Sequence, residues 1–375
     1  MRRQDFPDFK QVYLDSACMS LRPHRVIEAV EEYYENYPAC PGRGNHELSE
    51  TATEKMENAR ERIASFIDAD RGNLAFTSGT TESINAVARG FDYDRVLVSD
   101  REHNSNLVPW QRSPAGVEVV ETGDDFVARL QSELREGDLV SLVHVSNLDG
   151  HEIPVREVSK VVKEKGAHFM VDAAQSIPHR PFSVREIDPD FVAFSGHKML
   201  GPSGTGALYV ADRVKDSVEP LKLGGGGVRS SAFRTHDRKE FPHGFESGLP
   251  NIAGIIGFGE AAEYLGEIGM SEIHKHEKEL TERLYSGIYD IGGVENVGSQ
   301  APGVVSLRVG NLGANQASLM LDQRDIAVRS GMHCVHSWFE SHGERPTLRA
   351  SLHLYNSEDD IEGFLSALRE IAVLG

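Results

Sequence analysis

The stretch Pro189–Val210, PDFVAFSGHKMLGPSGTGALYV, decides how this chain reads. Its opening run, Phe191–Phe194, is short, apolar and partly aromatic or β-branched, the composition of a buried strand. Ser195, His197 and Lys198 follow at once, then a turn rich in Gly and Ser, then a second apolar run, Ala207–Val210. An ammonium group at the end of a buried strand is costly unless it is paired or chemically used. Lys198 is therefore a candidate reactive group, and the rest of the chain must supply its partners.

Outward from that stretch, short apolar runs alternate with amphipathic segments from about residue 70 to 210. NLAFTSG, DRVLVSD, DLVSLVHVSN, AHFMVDAAQ, PDFVAFSG and GTGALYV read as strands, and TESINAVARGF, DDFVARLQSEL and VREVSKVVKEKG as helices between them. In the last of these, Val155, Val158, Val161 and Val162 fall on one helical face that ends at Gly166. The alternation predicts an α/β fold, a mostly parallel (mixed) sheet covered by helices on both faces. Ligands in such folds bind beyond the carboxyl ends of the strands. Thr80 and Thr81, His103, Asn147, Asp172 and Gln175, and Ser195, His197 and Lys198 all follow apolar runs, which makes them the candidate site. After residue 250 two long helical patterns, short strands and a closing helix capped at Ser357 change the texture to α+β and predict a smaller C-terminal domain.

The 375 residues carry 39 Lys and Arg against 58 Asp and Glu, a net charge of −19. That balance opposes non-specific binding to nucleic acid and to anionic membranes. No N-terminal secretory signal and no apolar run of membrane-spanning length is visible. Cys18, Cys40 and Cys334 show no paired spacing, so a disulfide framework is not expected and a reducing cytoplasm is.

FTSGTTES reads as strand, turn and helix start, where backbone amides and the Thr80 and Thr81 hydroxyls suit a phosphate; a plain helix cap has the same pattern. Asp172 closes the strand that precedes Lys198 by one strand–helix–strand step. A carboxylate buried there wants a cationic partner. A Schiff-base lysine, an acid for a pyridinium nitrogen and a phosphate cup are together what pyridoxal 5'-phosphate requires.

The segments SGTTESINAVA, REHNSNLVPWQ, VSNLDG, VDAAQS, FSGHKMLGPSGTG, RSGMHCV and RASLHLYN resemble the class V aminotransferase family of fold type I pyridoxal-phosphate enzymes. Within it, Suf-type cysteine desulfurases and selenocysteine lyases look most similar. The resemblance runs over nearly the whole chain and implies a large cofactor-binding domain at 16–264, with 1–15 and 265–375 forming the small domain. It implies that Lys198 holds the cofactor and moves protons, Asp172 pairs with the ring nitrogen and Gln175 contacts the ring hydroxyl. His103 would stack on the ring, Thr80, Thr81, Ser195 and His197 would bind the phosphate, and Asn147 and Arg349 the substrate carboxylate. Arg43 would border the active site from an N-terminal loop.

Cys334, in VRSGMHCVHSW beside His333 and near Arg329, is the residue that the resemblance makes a sulfur acceptor. A cationic, accessible setting is the one in which a thiol reacts as thiolate. The implied reaction takes sulfur from L-cysteine, leaves alanine and a Cys334 persulfide, and hands the sulfur to an acceptor protein for iron–sulfur or thio-cofactor assembly. A homodimer is implied as well. A buried, inert thiol and a metal ligand in the run Cys334, His333, His336 and His342 are the alternatives for Cys334, and another class V lyase, epimerase or aminotransferase is the alternative activity. A sulfur-relay or scaffold protein without turnover is a third. Cys18 and Cys40, in the N-terminal loops, read as ordinary small residues that the resemblance sets near the active-site entrance. Gly42, Asn104 and Leu249 depart from the family pattern, which bears on substrate and acceptor and leaves the cofactor residues intact.

Overall fold

The computed structural model describes residues 2–113 and 116–374. Seven strands form the central sheet: β1 (Leu74–Thr77), β2 (Val96–Ser99), β3 (Val117–Val120), β4 (Leu139–Val143), β5 (His168–Asp172), β6 (Phe191–Ser195) and β7 (Gly206–Val210). Their spatial order is β1-β7-β6-β5-β4-β2-β3. The five strands from β6 to β3 run parallel, while β7 is antiparallel to both β6 and β1. The sheet is therefore mixed, and β1 points the same way as β6. The carboxyl ends of β1, β2, β4, β5 and β6 open on one edge, the edge where the candidate residues cluster.

Four of these strands, β2, β4, β5 and β6, are buried almost throughout, which is why they read as unbroken apolar runs. β3 escapes the sequence reading because it is the sheet's edge, with Glu118 and Val119 exposed and only Val120 buried. Helices Thr80–Gly90 and Val155–Glu164 carry their apolar residues on one stripe each and seal the sheet. Ile252–Ile268 differs: it is buried over most of its length, packed against helices His24–Asn36 and Glu47–Phe66, with Glu260, Glu263 and Glu267 paired to Arg25 and Arg62. Gly259 permits that packing, because a Cβ there would stand 2.5 Å from the Ala59 Cβ.

A second, four-stranded antiparallel sheet is built from Val294–Asn296, Val304–Val309, Thr347–Ser351 and Arg329–Gly331, in that spatial order. Its own apolar cluster joins Val305, Leu307, Leu348 and Ala350 to Leu280 and Leu284 of helix Met270–Tyr289 and to Phe364 and Leu368 of helix Glu358–Ala372. The last helix opens on a reciprocal cap, with Ser357 Oγ accepting from the Asp360 N–H and the Asp360 carboxylate from the Ser357 N–H. The stretch DIAVRSG, residues 325–331, forms two short strands separated by Val328. Ile326–Ala327 pairs in parallel with Val12–Tyr13, and Arg329–Gly331 pairs with Thr347–Ser351. The N-terminal strap thus runs along the second sheet and carries Asp15 to a bridge with Ser351. Among the described residues no helix is long and apolar enough to cross a membrane.

The turn after β1 lies directly on β7. A Cβ on Gly206 would meet the Gly79 Cα at 2.4 Å and the Phe194 carbonyl oxygen at 2.7 Å. Since β7 is hydrogen-bonded on both sides, the backbone has nowhere to retreat. Gly206→Ala should lower the unfolding free energy by about 1–3 kcal/mol. An unchanged denaturant midpoint would show that the two backbones are not in contact.

Candidate active site

A cavity of about 180 Å³ opens at this edge, lined by residues of both sheets. Its floor is the β1 turn. Gly79 adopts φ +149°, and a Cβ there would press on Ser195 Oγ at 3.2 Å. The turn lets the Thr80 N–H donate to Ser195 Oγ at 2.8 Å, with the Thr80 hydroxyl at 2.7 Å from the same oxygen. Thr81 Oγ1 lies 2.7 Å from Ser105 Oγ. Unpaired amides and the positive end of the helix dipole gather at the start of helix Thr80–Gly90, which faces the cavity together with His197. Burial, with Lys198 close by, lowers the pKa of His197 to about 4. It is a neutral donor there.

Asp172 and Lys198 come from neighbouring strand ends. Asp172 pairs with Ala193 across β5 and β6, and its Oδ1 accepts the Ala174 N–H at 3.0 Å. Burial raises the Asp172 pKa while Lys198 pulls it back. The reverse holds for Lys198, which burial pushes down and Asp172 raises, with Arg349 opposing. Each charge is expensive alone and tolerable beside the other.

His103 caps the short turn Asn104–Leu107, where its Nδ1 accepts the Ser105 N–H at 3.1 Å. That bond leaves the proton on Nε2. Burial first, then Lys198 and Arg349, brings the His103 pKa to about 3, so the ring is neutral at ordinary pH. Beneath it lies Glu102, which the sequence reading passed over. Its carboxyl group is fully buried and takes the Ser99 hydroxyl at 2.5 Å, the Asn106 amide at 2.6 Å and the Val143 N–H at 2.9 Å. It ties the end of β2 to the end of β4 and thereby fixes the root of His103. No local pattern marks it, because its neighbours Asp100, Arg101, His103 and Asn104 make the run polar throughout.

The second sheet brings Arg349, which is 2% exposed. Its Nη1 donates to the Asn147 carbonyl at 2.9 Å and its Nη2 to Asp15 Oδ1 at 3.1 Å. Asp15 is a partner no local pattern could reveal, because 334 residues separate the two. Asn147 in turn donates to the His333 carbonyl at 2.7 Å, and Gln175 donates to the Ala17 carbonyl at 2.7 Å.

Cys334 follows His333, and both sit in the left-handed region, at φ +58° and +50°. Such residues cost roughly 1 kcal/mol or more each unless the surroundings hold them. Here the Asn104 N–H donates to the Cys334 carbonyl at 2.7 Å and His333 Nε2 meets Thr347 Oγ1 at 2.9 Å. The strained turn presents Cys334 to the cavity beside Arg329, while the thiol-bearing residue stays exposed. Asn104 pins the turn through its backbone N–H, which any residue but proline would supply there. Arg43 stands elsewhere, in a separate cavity of about 500 Å³ with Cys40, Gly226 and Leu249.

Besides His333 Nδ1, three buried polar atoms on the cavity wall have no hydrogen-bond partner among the described residues: Asn147 Oδ1, Gln175 Oε1 and Arg349 Nε. Two acceptors and one cationic donor, all nine-tenths buried or more, need a ligand with a hydroxyl and an anionic group. A phosphate seat, a carboxylate at the far end of a ring and an amine complete the set, and pyridoxal phosphate fits it.

The pattern of the class V aminotransferase family matches residues 12–364, and the chain belongs to that family. It is 39% identical to the "Probable cysteine desulfurase" of Pyrococcus abyssi, over 98% of this chain and 96% of that protein. Identity to the cysteine desulfurase of Haloferax volcanii is 36%, over 95% of this chain and 88% of that one. Among solved structures, the apo cysteine desulfurase of Thermococcus onnurineus NA1 superposes with a TM-score of 0.95 at 36% identity, covering 100% of this chain and 98% of that one.

Burial raises the Glu102 pKa from 4.5 to about 8. A carboxyl group whose folded pKa lies above its unfolded value favours the fold below the lower value and loses that contribution as pH rises through the upper one. Wild-type stability should therefore decline between pH 4.5 and about 8 by more than it does in Glu102→Gln. Parallel Tm-against-pH curves for the two proteins would rule this out.

Proposed function

We propose that the protein is a pyridoxal-phosphate-dependent cysteine desulfurase, and that Cys334 accepts the sulfur. The observation that carries the reading is a cysteine on a strained, pinned turn facing the same cavity as Lys198, Asp172 and Arg349. The similarity to proteins named cysteine desulfurase over nearly their whole length supports it.

Thr80, Thr81, Ser195 and His197 would seat the phosphate of the cofactor, Asp172 its ring nitrogen, and Gln175 its ring hydroxyl, with His103 against the ring face and Lys198 holding it covalently. When bound, the cofactor supplies an electron sink for charge left at the substrate Cα. Arg349 and Asn147 bind the substrate carboxylate, and Asp15 keeps Arg349 aimed. Lys198, which burial shifts toward its neutral amine form, takes the Cα proton. The Cys334 thiolate attacks the substrate sulfur. The Cβ–S bond breaks, an S–S bond forms on Cys334, and the remaining three-carbon fragment is protonated at Cβ, takes its Cα proton back from Lys198 and leaves as alanine.

In this reading two copies of the chain form the working enzyme, each with a large domain at 16–264 and a small domain of 1–15 and 265–375. Arg43 and Leu249, outside the cavity of their own chain, are then the residues to test at the subunit boundary. An acceptor protein takes the sulfur for iron–sulfur or thio-cofactor assembly in a reducing cytoplasm.

Cys334→Ala should abolish alanine and sulfide formation from L-cysteine while the cofactor's visible band remains. Survival of desulfuration in that variant would leave Cys334 a bystander and favour another class V reaction. Arg349→Ala should cut kcat/KM about 10- to 100-fold, the cost of losing a hydrogen-bonded cation. Lys198→Ala should lack the absorbance band that borohydride erases in the parent protein.

A further inference from the structure

The cavity contains a second thiol. Cys18 lines the same space as Cys334, on the wall formed by the N-terminal strap. Both thiols lie within electrostatic reach of Lys198 as well. Each thiol, when ionised, raises the pKa of Lys198, and Cys18 does the same for Arg349. Cys40, by contrast, lines the other cavity with Arg43.

The strap holds Cys18 in place from both sides. Its own N–H donates to the Asp15 carbonyl at 3.1 Å, and the Ala17 N–H to Ser351 Oγ at 2.9 Å. The Ala17 carbonyl accepts from Gln175, and the Ser20 N–H donates to the His197 carbonyl at 2.9 Å. Cys18 is thus fixed to residues of the cofactor and carboxylate sites, while its half-buried side chain faces the cavity. The space also holds a buried cation with a spare donor, Arg349 Nε, which pairs with no atom among the described residues.

We propose that Cys18 is a second sulfur carrier, loaded from Cys334 inside the cavity. The inference rests on the desulfurase reading, since Cys334 must first hold a persulfide. A persulfide places its outer sulfur about 2 Å beyond Cys334 Sγ, into the shared space. The Cys18 thiolate attacks that outer sulfur. A new S–S bond forms on Cys18, the bond to Cys334 Sγ breaks, and Cys334 leaves as thiolate, taking up the proton that Cys18 gave away. One disulfide-type bond replaces another, so no oxidant or reductant is consumed. Arg349, free once alanine has left, neutralises the anion in transit. Cys334 is then ready for a second substrate while the first sulfur waits on Cys18.

The holoenzyme is mixed with L-cysteine without reductant or acceptor protein, quenched with an alkylating reagent at intervals, and its cysteine peptides are mapped by mass. The Cys334 peptide should gain one sulfur first and the Cys18 peptide later, with the Cys40 peptide unchanged. The burst of alanine should reach two per subunit and fall to one in Cys18→Ala. In Cys334→Ser neither remaining peptide should gain sulfur. If Cys334 is loaded while Cys18 stays bare and the burst stops at one, the relay is wrong and the desulfurase reading stands. Loading of Cys18 in Cys334→Ser, or loading of Cys40 as fast as Cys18, also overturns the relay, the first as direct attack on substrate and the second as exchange through solution. If no peptide gains sulfur and no alanine appears, the desulfurase reading fails and the relay with it.

Discussion

Two opposite charges at the ends of adjacent buried strands are what the rest of this structure depends on. Asp172 ends β5 and Lys198 follows β6, and the pairing of those strands fixes how closely they approach. Neither ion is tolerable alone in a setting that excludes water. Burial pushes the Asp172 pKa up and the Lys198 pKa down, and the charge of each opposes that shift in the other. Such a balance suits a lysine that must react as a neutral amine and an acid that must face a protonated ring.

Around that pair the fold arranges strain and compensation. The β1 turn needs Gly79 and Gly206 because two backbones meet there. The Cys334 turn needs two left-handed residues in succession, and hydrogen bonds from Asn104, Asn147 and Thr347 hold them. Strain that is held this firmly sets the direction of a side chain, and here the side chains are the Ser195 hydroxyl and the Cys334 thiol.

The second sheet contributes by position. Arg349 reaches the cavity because Thr347–Ser351 lies beside Arg329–Gly331, and Asp15 meets it because the N-terminal strap crosses the same sheet. Behind Lys198, His179 and His353 share the Glu277 carboxylate at 3.0 and 3.2 Å. That buried contact ties helix Met270–Tyr289 to the loop after β5, so the two sheets meet through polar bonds as well as apolar packing.

Much of this was legible in the residues. Buried strands announce themselves as apolar runs, and the residue after each run is where such sheets place their ligands, so Thr80, His103, Asn147, Asp172 and Lys198 could be picked out one by one. The edge strand Val117–Val120 could not, because a half-exposed strand lacks that contrast. Nor could the break at Val328, the Asp15–Arg349 pair or Glu102 beneath His103. Those depend on which distant segments pack together, and periodicity reports only a residue's near neighbours. Cys18 is the clearest case. In the sequence it is a thiol in a loop near the expected site entrance, with no motif to tell it from Cys40, and only the path of the strap across both sheets sets it in one cavity with Cys334 while Cys40 lines another, because contact between segments so far apart is decided by packing and by no local rule.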